Sequence, residues 1–154
     1  MPTLLLGTLV PDYPNAGQEM CHCFTCNFLL QQHAQGVVNY VMPNADSLQF
    51  LYNTLHRLGM QRNNGQIAPG NLIIIGNGRT ATGGVGLVTH SMIAINQHVW
   101  FGCNNLNTFG VDFNNRQIPL DTILMRREIN LQALGININY ANRTFNGFTF
   151  DVFM

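Results

Sequence analysis

The chain has 154 residues, enough for one domain around one core. Apolar residues make up 46% and charged residues only 9%, and seven basic side chains balance seven acidic ones. That composition argues against disorder and against a clustered cationic face for nucleic acid, and no apolar run approaches the ~20 residues of a membrane span.

Met1 to Val10 holds a short apolar stretch with no basic residue ahead of it, so no signal peptide is expected. Residues 1–19 read as loop, broken by Pro2, Pro11, Pro14 and Gly17. From Met20 to about Ala34 the pattern is helical: Phe24, Phe28 and Leu29 lie at i, i+4 and i+5, and Gly36 is the stop. A second helix is clearer. Asn44 or Asp46 caps it, Leu48, Leu51, Leu55 and Leu58 recur at helical spacing, and Gly59 ends it at the C′ position.

The period then changes. Asn71–Ile75 is a short apolar strand, and the Gly-rich residues 76–84 read as a loop. Val85–Ile95 and Val99–Cys103 are strands separated by the turn Asn96-Gln97-His98. Asp121–Glu128 reads as a short helix, and residues 144–153 as one or two strands around Asn146-Gly147. Helices first and strands later predict an α+β fold, with N-terminal helices packed on an antiparallel sheet in a single domain over 1–154.

All seven basic residues are arginine, there is no lysine, and asparagine occurs 20 times. Without lysine the chain offers no side-chain ubiquitin acceptor, which suits a protein delivered into a eukaryotic cell. The plainer account is a charge-poor chain that happened to favour arginine.

Three of the four cysteines crowd into CHCFTC: Cys21, Cys23 and Cys26, with Cys103 far away. That spacing does not suit a disulfide framework. Zinc would need Cys21, Cys23 and Cys26 with His22 or Cys103, but the usual second pair of ligands is missing. On a helix the three thiols also point in different directions. The remaining alternatives are small buried hydrophobes and a nucleophile at a helix start, where the dipole favours the thiolate. A nucleophile needs a histidine from elsewhere in the chain. His90 lies in the strand VTHSMIAI, and Asn104 follows the next strand, placed to bond its ring and fix its tautomer.

At these residues the chain resembles the papain-like thiol hydrolases and their NlpC-type relatives. Cys21-His22-Cys23-Phe24-Thr25 stands where papain has Cys-Trp-Ala-Phe-Ser, and His90-Ser91-Met92 resembles its His-Ala-Val. VWFGCNNLNTFG, with Trp100 and Asn104, resembles its Asn-Ser-Trp-Gly strand, and Gly70-Asn71-Leu72-Ile73 the NlpC-type Gly-Asp-Leu-Val. The resemblance spans about residues 15–110 and departs at His22, where the family has tryptophan. It implies a Cys-His-Asn triad of Cys21, His90 and Asn104, with Cys26 and then Cys23 as the alternative nucleophiles. Asn15 or Gln18 would take the place of the oxyanion-hole glutamine, and Asn105 or Asp112 could replace Asn104 behind the ring.

The implied chemistry is acyl transfer through a thioester, with no cofactor and no metal. The expected partner is a protein substrate, with no nucleic acid and no membrane span. The size resembles that of small bacterial effectors that deamidate host proteins and are secreted into the host cell by a non-classical route. An NlpC-type cell-wall amidase and a non-catalytic binding domain with a Cys-rich zinc site are the competing expectations.

Overall fold

The stripe formed by Leu48, Leu51, Leu55 and Leu58 requires an apolar surface to cover it, and the computed structural model supplies one. The structure describes residues 21–33, 44–102, 112–113, 116–117, 128–133 and 135–154. Helix α1 (Cys21–Gln32) packs against helix α2 (Asn44–Arg57). The leucine stripe joins Phe24, Cys26, Phe28 and Leu29 of α1 in one apolar cluster. Gly59 ends α2 as expected: it takes φ +62, its N–H donates to His56 O, and the Met60 N–H donates to Leu55 O. That pair of bonds is a Schellman cap, and Leu55 and Met60 both pack against the helical core.

The strands are β1 (Leu72–Arg79), β2 (Val85–Ala94), β3 (Val99–Phe101), β4 (Asp112–Phe113), β5 (Arg116–Gln117), β6 (Glu128–Asn130), β7 (Thr144–Phe145) and β8 (Phe148–Phe153). Six of them form an antiparallel sheet in the order β6-β3-β2-β1-β8-β7, while β4 and β5 pair separately. The fold is α+β. No helix among the described residues is long and apolar enough to cross a membrane.

Strand alternation divides the sheet's apolar residues between two cores. Leu72, Ile74, Ile93 and Phe101 face the helices, and the Phe28 and Phe101 rings meet edge to face at 4.9 Å. Ile73, Ile75, Met92, Ala94 and Trp100 face the other way. There Ile67, Leu131, Ile136 and Phe145 complete the second core.

The β2–β3 hairpin forms as the sequence predicts, with the Asn96 side chain accepting from the N–H groups of His98 and Val99 in its turn. Two expectations are corrected. Residues 76–79 are not loop: β1 runs on to Arg79, with Asn77 opposite Leu87 and Arg79 opposite Val85. Their glycines read as turn chemistry, but β2 supplies the pairing partners, and only 80–84 remain as the connection. Glu128 does not close a helix; it opens β6 against Phe101 of β3. Residues 121–127 and Cys103 lie outside the described residues.

Candidate functional site

Helix α1 is buried on nearly every side. Cys23 through Leu30 are all buried, whereas Cys21, its first residue, is only partly covered. The helix is fastened to β2 by polar contacts at its first turn. Cys21 Sγ lies 3.9 Å from Thr89 O, placed to donate its proton there. His22 Nδ1 and Ser91 Oγ share a buried hydrogen bond of 2.8 Å. Thr25 Oγ1 donates to Ser91 O at 3.2 Å. Further along the helix the contacts become apolar, through Phe24 and Phe28 onto Phe101.

Burial sets the chemistry of these groups. It pushes the His22 imidazole down to a pKa of about 4, so the ring is neutral at ordinary pH. It pushes the Cys26 thiol up to about 12, a shift that the nearby Cys21 increases. The Thr54 hydroxyl beside Cys26 offsets part of that rise. Cys23 is fully buried and accepts a 3.6 Å contact from Asn27 Nδ2. Of the three thiols in CHCFTC, Cys21 is therefore the one that combines access to solvent with a place at a helix start.

His90 sits in β2, as the sequence predicts, at an irregular point. Ile75 pairs with His90 and Gly76 with Val88, which leaves Thr89 as the extra residue of a β-bulge. Ser91 reaches α1 and Ile93 joins the helical core, while Met92 and Ala94 face Trp100. Alternation therefore places the buried His90 with Met92 on the Trp100 side. The thiol-bearing helix and the imidazole come to one short stretch of β2, from its two sides. The two residues that α1 touches there, Thr89 and Ser91, are the neighbours of His90.

Asn15, Gln18, Asn104 and Asn105 lie outside the described residues, and Asp112 belongs to β4, of which only the backbone is described. Among the described residues no group of three His, Cys, Asp or Glu side chains gathers as a metal centre. The contact that sequence reasoning missed is His22 to Ser91. Its signal was available: Ser91 has the same parity as Ile93, so alternation turns it toward the helices. Comparison with protein-family models, with curated proteins and with solved structures yields no match.

Proposed function

We propose that the chain is a cysteine-dependent amide hydrolase of papain-like or NlpC-like design, with Cys21 as nucleophile and His90 as base. One observation carries this reading. The partly exposed thiol of α1 stands where the helix touches Thr89 and Ser91, the two sequence neighbours of His90, whose ring lies across β2 on the Trp100 side. Cys26, with its pKa near 12, and the fully buried Cys23 are poor nucleophiles. His22 is a poor base, since its pKa is near 4 and its Nδ1 is engaged by Ser91. The bulge at Thr89 breaks the pleat beside His90, the kind of irregularity that re-aims a side chain at an active site.

In the proposed reaction the His90 ring turns at the Thr89 bulge from the Trp100 side to the side of α1 and takes the Cys21 proton there, and the sulfur attacks the amide carbon. The collapsing intermediate expels the amine, which leaves with the proton from His90, and a thioester remains. Water, deprotonated by His90, releases the carboxylic acid and restores the thiol. Asn104 would orient the ring, and Asn15 or Gln18 would meet the oxyanion beside N–H groups of the helix start. The favoured substrate is a glutamine or asparagine side chain of a folded protein, because such an amide needs only a pocket rather than an extended cleft. The lack of lysine supports an effector that works inside a host cell after non-classical secretion.

Intact-mass measurement on candidate host proteins tests the proposal. The expected result is the mass gain of an amide becoming an acid, lost in Cys21→Ala and His90→Ala. Fragments would show a peptidase and released wall peptides an NlpC-type amidase. Stoichiometric zinc in the purified protein would move the chain out of the enzyme class.

A further inference from the structure

The hydrogen bond between His22 and Ser91 is built like a device, although neither residue belongs to the expected triad. Ser91 is fully buried and His22 is 4% exposed. Ser91 is held twice by the same helix turn, through its hydroxyl to His22 and through its carbonyl to Thr25. His22 is flanked in sequence by Cys21, and Ser91 by His90. The polar fastening of α1 to β2 therefore sits beside the two groups assigned to the chemistry. An apolar pair would fill the same space with less directional control; a 2.8 Å bond fixes rotation and register of the helix turn.

We propose that His22 and Ser91 are positioning residues for Cys21. Their bond, backed by Thr25, clamps the first turn of α1 to β2 and sets where the thiol stands against the Thr89 carbonyl. The role assigned to His90 rests on the proposed hydrolase; the clamp itself does not. While the clamp is closed, Cys21 donates toward the Thr89 carbonyl, a contact that favours the protonated thiol and covers part of the sulfur. Opening the clamp removes both restraints, so alkylation should become faster while amide hydrolysis, which needs the geometry, becomes slower.

The test is iodoacetamide labelling of the full chain at neutral pH, with each cysteine followed separately by mass spectrometry. In Ser91→Ala, Cys21 should label about fivefold faster or more, while Cys23 and Cys26 stay as protected as in the parent. Ser91→Thr, which restores the hydroxyl, should return Cys21 to the parental rate. If Ser91→Ala fails to fold, Thr25→Val removes the other half of the clamp at constant shape and should shift Cys21 in the same direction. A Cys21 rate within about twofold of the parent in the variants would overturn the proposal. So would Cys23 and Cys26 opening in step with Cys21, because that pattern reports general loosening. Labelling needs no substrate, so the clamp can stand where the hydrolase reading fails. If a substrate is in hand, Ser91→Ala should lower its turnover while Cys21 labels faster, a combination that loss of folded protein does not produce.

Discussion

His22 and Cys21 are neighbours in sequence, yet the fold gives them opposite surroundings, and the difference predicts a pH response. The His22 ring has a folded pKa of about 4 against an ordinary 6.5, because burial disfavours the imidazolium. Above pH 6.5 the ring is neutral in both the folded and unfolded chain, and its contribution to stability is complete. Between 6.5 and 4 the unfolded chain takes up a proton that the folded chain refuses, so stability falls as pH falls. The full loss from this group is about 3 kcal/mol, reached below pH 4. Denaturant unfolding from pH 7 to pH 4 checks it against His22→Asn, which offers Ser91 a hydrogen-bonding amide but has nothing to titrate. The parent should lose about 3 kcal/mol more than the variant across that range; equal losses would remove His22 as the cause.

At the scale of elements, two glycines make opposite demands. A Cβ on Gly76 would stand 1.9 Å from the Leu87 carbonyl oxygen, at the bulge where β1 and β2 change register. Neither backbone can move away without breaking the longest hairpin of the sheet, so Gly76→Ala should cost at least about 3 kcal/mol or prevent folding. Gly147, in the turn between β7 and β8, has φ +83 and open space around its missing Cβ. Gly147→Ala should therefore cost only the backbone strain, about 1 kcal/mol. Unfolding midpoints of the two variants test the ordering. The sequence reveals the second glycine more readily than the first. Asn146-Gly147 between apolar alternation is a hairpin signal, and φ is positive at both residues. Likewise the leucine stripe and Gly59 mark α2 and its end from local spacing alone. Gly76-Asn77-Gly78-Arg79 has the composition of a loop, and it becomes strand only because Val85–Val88 returns to pair with it. The clamp between His22 and Ser91 joins residues 69 apart in sequence, which no window around either residue displays. His90 was legible as a strand residue, but its side of the sheet depends on which face the helices cover.

For the molecule as a whole, the absence of lysine gives arginine the task of joining elements. The Arg79 guanidinium donates to Asp151 Oδ1 at 2.7 Å and to the carbonyls of Gly83, Asn142, Arg143 and Phe150. One side chain thereby ties the end of β1, the 80–84 connection, the turn before β7 and strand β8. Asp151, nearly buried, also accepts from the Val85 N–H at 3.0 Å and lies 3.5 Å from Arg62. Arg143 extends the network to the Asn63 and Gly65 carbonyls and sets its guanidinium carbon 5.8 Å from the centre of the Phe150 ring. Five acceptors around one planar fork cannot be met by an ammonium group, which directs its three donors from one nitrogen. Arg79→Lys keeps the charge and should still lose about 2 to 3 kcal/mol. Asp151→Ala leaves two arginines facing each other and Val85 without its acceptor, for a cost of about 3 to 5 kcal/mol. Because the two residues share one of their bonds, their effects should overlap in part. The double variant Arg79→Lys with Asp151→Ala should be more stable than the sum of the single losses predicts, by about 1 to 2 kcal/mol. Additive losses in a denaturation cycle would mean that Arg79 works through the backbone carbonyls alone.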